Sequence, residues 1–187
     1  MADKSGKKEK VSELDKNFSK VLQDIASNEK EFKAELEGME IKHAREVSIE
    51  DGKNHCFLIQ VSTKNEKDLK KVQQTLSKKL EEHFGKPVSI IPEKKRVNGN
   101  LYRRWKGTKV PRDRTLTALF DSYLEDLLYP AVIVGKRIRY PKGKVRKFKV
   151  LIDPIDKELL NNKIPSITGC YKALTNRELE IEFPEYH

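Results

Sequence analysis

Seventeen Lys or Arg residues fall between positions 94 and 149, against only four acids, Asp113, Asp121, Glu125 and Asp126. The stretch carries +13 on a chain whose total is +10, so the rest of the molecule sums to −3. Solubility needs only scattered charge, whereas one concentrated positive stretch raises a local potential that draws in a dense polyanion. The cations form two blocks, each netting +8. The first is Lys94, Lys95, Arg96, Arg103, Arg104, Lys106, Lys109, Arg112 and Arg114, offset by Asp113; the second is Lys136, Arg137, Arg139, Lys142, Lys144, Arg146, Lys147 and Lys149. Arg is well represented in both. Its planar guanidinium forks onto phosphate and stacks on a base, as an ammonium does not. The pattern points to nucleic acid, and the competing reading is a solvated basic loop or a localisation signal.

Two details sharpen the phosphate reading. Trp105, with Tyr102, stands among Arg103, Arg104 and Lys106, and aromatics interleaved with cations suit stacking on unpaired bases; the alternative is that Trp105 packs against its own domain or a neighbouring protein. In the second block, strand alternation puts Arg137 and Arg139 on one face and Ile138 and Tyr140 on the other. On the partner strand Arg146 goes with Phe148, Val150 and Ile152, and Lys147 and Lys149 point the opposite way.

Other chemistries lack their residues. Asp121 and Glu125, with Asp126 nearby, have the spacing of a helix face, have no companion ligand motif, and read as salt-bridge partners. His43, His55 and His83 lie near Cys56 without the paired spacing of a zinc site, and there is no CxxC. Nor is there a phosphate-binding glycine loop, a nucleophile elbow or an HExxH. The expectation is no enzyme, no cofactor, no metal and no small-molecule substrate. Cys56 and Cys170 read as reduced thiols with no disulfide, because no export signal precedes them. No run of about 18 apolar residues is present, so neither a membrane span nor a secretory signal is expected and the protein reads as intracellular.

The elements that must carry these cations follow from hydrophobic periodicity. Residues 1–10 read as a flexible charged leader. Val11, Leu14, Phe18, Val21, Leu22 and Ile25 share one helical face, a pattern that runs through Phe32 and Leu36 to Gly38. Val47 and Ile49, then Phe57, Ile59 and Val61, alternate about the Asp51-Gly52 turn as a hairpin. Leu69, Val72, Leu76, Leu80 and Phe84 mark a second helix between Asn65 and Gly85, with Lys67, Lys70, Lys71 and Lys78 opposite its stripe; Val88–Ile91 is a third strand. Residues 94–114 lack apolar periodicity and read as an exposed basic loop. Beyond it, Thr115 caps a helix bearing Leu116, Leu119, Phe120, Tyr123, Leu124, Leu127 and Leu128, which Pro130 ends. Val132–Tyr140 and Val145–Ile152 form a hairpin about Pro141-Lys142-Gly143-Lys144. A helical stretch over residues 155–174 is interrupted by Pro165, and Leu179, Ile181 and Phe183, alternating with glutamates, make a last strand. The predicted fold is α+β, with helices packed on mixed or antiparallel sheets. Two halves, residues 11–93 and 115–187, each have the order α-β-β-α-β and are joined by the basic loop. Residues 150–187, with four cations against seven acids, should avoid phosphate and face solvent or a basic protein.

The stretch PRDRTLTALFDSYLEDLLYPAVIVGKRIR, from Pro111 to Arg139, together with the terminal GCYKALTNRELEIEFPEY, resembles the eukaryotic small-subunit ribosomal protein of the seven-e family. The likeness is densest over residues 111–187, where RTLTA, LEDL, IVGKRIR and FPEY stand in the family's order, and looser over residues 11–93. It implies an α+β structural protein on the body of the small (40S) subunit, contacting 18S ribosomal RNA and neighbouring small-subunit proteins. It also implies a part in subunit assembly, a ribosomal place in the cytoplasm with nucleolar assembly, and no catalysis. Carried over by position, it singles out Arg112, Arg114, Lys136, Arg137 and Arg139. The chain departs from the family at VNGNLYRRWKGTKV, residues 97–110, where family members carry longer Lys/Arg-rich loops without the aromatic cluster. The rival readings are a free RNA-binding regulator acting outside any particle, and an RNA-modifying enzyme for which no constellation is present.

Overall fold

The computed structural model describes residues 13–28, 39–49, 55–62, 66–96, 115–143 and 146–184. The expected leader, the Gly38 helix end, the Asp51-Gly52 turn, the Asn65 cap and most of the basic loop, with Tyr102 and Trp105, lie outside them.

In chain order the described elements are α1 (Glu13–Asn28), β1 (Glu40–Ser48), β2 (His55–Ser62), α2 (Glu66–Phe84), β3 (Val88–Pro92), α3 (Leu116–Leu128), β4 (Ile133–Arg139), β5 (Lys147–Ile152), α4 (Lys157–Leu160), α5 (Ile164–Thr175) and β6 (Glu178–Glu182). They build two three-stranded mixed sheets, β1-β2-β3 and β4-β5-β6. In each, a hairpin pairs the first two strands antiparallel, and a helical crossover then returns the third strand parallel to the second. The two halves therefore share pairing sense as well as element order.

Apolar spacing accounts for the long helices. Leu69, Val72, Leu76 and Leu80 of α2 are buried together with Phe18 and Leu22 of α1 against Phe57, Ile59, Val61 and Ile90 of the first sheet. Gly85, at φ +64°, ends α2 in a left-handed turn, and its N–H donates to the Glu81 carbonyl at 2.8 Å, a conformation glycine adopts without penalty. The other face of β2 is not solvated, as simple alternation implies. Cys56 and Leu58 join Leu124, Leu128, Ile152, Ile167 and Cys170 in a second core that α3 and α5 form between the two sheets. Buried on both faces, β2 reads as a continuous apolar run.

Pro165 does not interrupt one helix. It sits in the first turn of α5, where the missing N–H has no helical partner to lose, and the break falls at residues 161–163, before it. Thr115 holds the extended backbone of an N-cap, but its side chain makes no capping hydrogen bond.

Polar bonds also join the halves. Gln73 Nε2 donates to the carbonyls of Ile90 at 2.9 Å and Asp126 at 3.1 Å. Lys163 Nζ reaches Glu81 at 2.8 Å, and the Cys56 and Cys170 sulfurs lie 3.4 Å apart as free thiols. The bond to Cys56, and then burial, push the Cys170 thiol far above its usual range.

Candidate nucleic-acid interface

The second basic block lies on the sheet β4-β5-β6, and strand register decides which cations remain available. Phe148, Val150, Ile152, Leu179 and Ile181 turn to the shared core. On the opposite face Arg137 stands across from Lys149 and Arg139 across from Lys147. On the other side of β5, Lys147 lies beside Glu178 and Lys149 beside Glu180. The face is thus a charge ladder of three rows: arginines on β4, lysines on β5 and glutamates on β6.

The lysine row is engaged by the glutamate row, with Lys147 Nζ 2.7 Å from Glu180 Oε1 and Lys149 Nζ 2.7 Å from Glu182 Oε2. The hydrogen bond from Lys147 and its charge hold the Glu180 carboxyl below its ordinary range, and the same contact raises the Lys147 ammonium. The acidic C-terminal strand was expected to face solvent or a foreign basic protein; its first partners are this chain's own lysines, because β6 inserts parallel to β5. Lys136 reaches back to α3, 3.2 Å from Asp121 and 3.7 Å from Glu125.

Lys94 is also turned inward. Its ammonium donates to Ser122 and Asp126 of α3, with side chains only 12% and 4% exposed for Lys94 and Asp126. Burial, with the Asp126 charge adding to it, pushes the Tyr123 phenol up. The acids of α3 are salt-bridge partners, as their spacing implied.

Arg137 and Arg139 are left on the outer edge of β4, with Lys142 in the turn beyond and Arg146 opposite Tyr140; all four are exposed. Among the described residues no carboxylate lies within ion-pair distance of Arg137, Arg139 or Lys142. Because the shared core lies against the other face of this sheet and β4 is its end strand, this row faces outward at the sheet's margin. Lys95 and Arg96 are exposed beyond β3. Arg103, Arg104, Trp105, Lys106, Lys109, Arg112, Arg114 and Lys144 lie outside the described residues.

β4 also departs from the expected alternation. Ile133 pairs with Ile152 and Gly135 with Leu151, so Val134 is an extra residue on β4, the signature of a bulge. Core contact on this strand stops at Ile133. Ile138 and Tyr140, on the face opposite Arg137 and Arg139 as alternation sets them, are 50% and 66% exposed, because the hairpin extends past the core beneath the sheet. The pairing of Lys147 and Lys149 and the exposure of Tyr140 were missed in the sequence. The one signal for the first was the matched period of two in Lys147-Lys149 and Glu178-Glu180-Glu182.

A cavity of about 180 Å³ opens where α2, β3, α3 and α5 meet. Its Gln73 and Lys163 are already bonded across the joint, so it reads as part of the seam between the halves. Among the described residues no cluster of His, Cys, Asp or Glu is arranged to hold a metal ion, and no helix is long and apolar enough to cross a membrane.

Fold and site together define a basic α+β protein whose chemistry is concentrated on a charged sheet edge. The chain matches the family described as Ribosomal protein S7e over residues 2–183. It is 36% identical over 180 residues to small ribosomal subunit protein eS7 of Drosophila melanogaster, covering 92% of this chain and 89% of that one. It is 35% identical over 180 residues to small ribosomal subunit protein eS7B of Saccharomyces cerevisiae, covering 92% and 91%. With the protein eS7 of Avicennia marina it shares 33% over 174 residues, covering 92% and 90%. The chain belongs to the S7e family of small-subunit ribosomal proteins. It is a structural, non-enzymatic constituent of the ribosome, with ribosomal RNA and other ribosomal proteins as its class of partners.

Proposed function

We propose that the chain holds 18S ribosomal RNA through its two basic segments and contributes to assembly of the small subunit, a step the resemblance puts in the nucleolus. The observation that carries this is the outward row of Arg137 and Arg139 at the end of a sheet whose inner lysines are already neutralised. A guanidinium in an ordered ion pair must give that contact up before taking a phosphate; among the described residues neither arginine is in one, although the Arg139 charge adds a little to holding Glu180 ionised. Lys142 and Arg146 extend the row around the turn. Lys95 and Arg96, with Arg103, Arg104, Trp105, Lys106, Lys109, Arg112 and Arg114, are the second segment, and Lys144 is counted with the first by its place in the sequence. Lys94, Lys136, Lys147 and Lys149 serve RNA indirectly, by fixing the strands that present the arginines. Division into residues 11–93 and 115–187 about a basic loop at 94–114 suits this arrangement, with one half placing each end of the loop.

Sedimentation of cell extract through a sucrose gradient tests the proposal. The chain should travel with 40S particles, and photo-crosslinks placed at Arg139 and Lys142 should capture ribosomal RNA within isolated subunits. A chain found mainly in slow, particle-free fractions would instead be a free regulator. Crosslinks at those positions that captured only protein would remove the hairpin from the RNA surface.

A further inference from the structure

We propose that Tyr140, with the guanidinium of Arg146 behind it, is a stacking platform for one unpaired RNA base, set at the far end of the β4 edge. The inference rests on the RNA-binding reading and adds a structural preference to it, since phosphate contacts alone do not distinguish paired from unpaired RNA.

The ring's position follows from the register. Arg139 is the last paired residue of β4 and stands across from Lys147, so one step further Tyr140 comes opposite Arg146. Gly143, at φ +71°, takes the left-handed conformation that brings the chain back. The Arg146 guanidinium carbon lies 5.2 Å from the centre of the Tyr140 ring, close enough for the cation to be held on the ring face. The side chain is nevertheless 66% exposed, and the core beneath this sheet ends well before it, at Ile133 and Phe148.

A large ring kept in water at the end of a strand, backed by a guanidinium on one face, has its other surface open to a planar ligand. The surroundings select which one. Arg146 lies on the ring, and Arg139 and Lys142, both exposed, stand beside and just beyond Tyr140 in the chain, a positive setting that repels basic protein segments and favours a ligand carrying its own phosphates. Successive side chains on a strand point to opposite sides, so Arg139 and Tyr140 flank the strand edge. A single RNA strand laid along β4 meets a phosphate contact on one side and a stacking face on the other. A base locked inside a duplex cannot reach the ring.

Two probes with equal numbers of phosphates, a single-stranded RNA and a duplex, separate this proposal from the reading beneath it. With the full-length chain, Tyr140→Leu should weaken single-strand binding roughly 5- to 150-fold, the range expected for one stacked base, and leave duplex binding and both salt slopes unchanged. Tyr140→Phe, which keeps the ring, should stay within about twofold of the parent on both probes. Because Tyr140 is outside the core, both variants should melt with the parent. Loss of single-strand affinity with an altered melting temperature, while Tyr140→Phe melts normally and binds as weakly, would overturn the platform, as would equal loss on both probes or no loss on either. Full RNA affinity in Tyr140→Leu combined with failure to enter the subunit would mean that the ring meets a protein, and would also overturn it. If the parent chain bound neither probe in a salt-dependent way, the RNA reading itself would fall, an outcome distinct from all of these.

Discussion

Replacing Lys94 by methionine should lower the unfolding free energy by about 3 to 5 kcal/mol, the range seen when one member of a buried ion pair is removed and the other is left behind. By sequence Lys94 opens the first basic block, but its ammonium is enclosed with Asp126 and Ser122 of α3. Methionine keeps the length of the stem and deletes the charge, leaving a carboxylate only 4% exposed without its cation. The Asp126 backbone carbonyl also receives Gln73 from α2, so the disturbance falls on the joint between the halves. Urea denaturation of the free protein measures the loss. The double variant Lys94→Met/Asp126→Asn should recover part of it, because the buried charge is then removed together with the Lys94 ammonium. The salt dependence of RNA binding by the single variant should match that of the parent. Undiminished stability with a shallower salt dependence would return Lys94 to the surface cations.

Leu124→Ala should be almost as damaging, by about 2 to 5 kcal/mol for a leucine emptied from a packed core. Leu124 is 3% exposed and lies one turn from Phe120 and from Leu128, where α3 packs between the sheets with Ile152, Ile167 and Tyr171. For a chain of this size each kcal/mol lowers the melting temperature by roughly 2 to 4 °C, giving a fall of roughly 4 to 20 °C. Entry into the small subunit should fail in proportion, with RNA contacts untouched. An unchanged melting temperature would put Leu124 on a surface facing a partner.

These two residues mark what the sequence disclosed and what it withheld. The stripes of α2 and α3 were legible because a helix packed on one side writes its burial into three- and four-residue steps, and Leu124 stands mid-stripe. The two hairpins and the α+β class were legible for the same reason, through period-two alternation. Residues distant along the chain were harder. That β3 and β6 return parallel to β2 and β5 depends on how each crossover helix packs, which strand composition leaves open. From that pairing come both the paired lysines and the arginines that form no ion pair among the described residues: Lys147 and Arg139 look alike in a basic run, and only the strand beside each tells them apart. Cys56 and Leu58 fall between the alternating positions Phe57, Ile59 and Val61, and only the second half of the chain supplies the surface that covers them. Alternation sets Tyr140 on the face opposite Arg139, but gives a side of the sheet and not how far the core extends beneath it.

The central claim is that phosphate is held by the outer row of β4 and not by basic charge in general, and the salt dependence of binding to a ribosomal RNA fragment tests it most directly. If about six phosphates are contacted, log K should fall with log salt at a slope of roughly −4 to −5. Arg137→Gln/Arg139→Gln should make the slope shallower by up to about two units, whereas Lys147→Gln/Lys149→Gln, which removes the same formal charge from the neighbouring strand, should change it by well under about one. A parent slope near zero, or equal changes from the two pairs, would contradict the account.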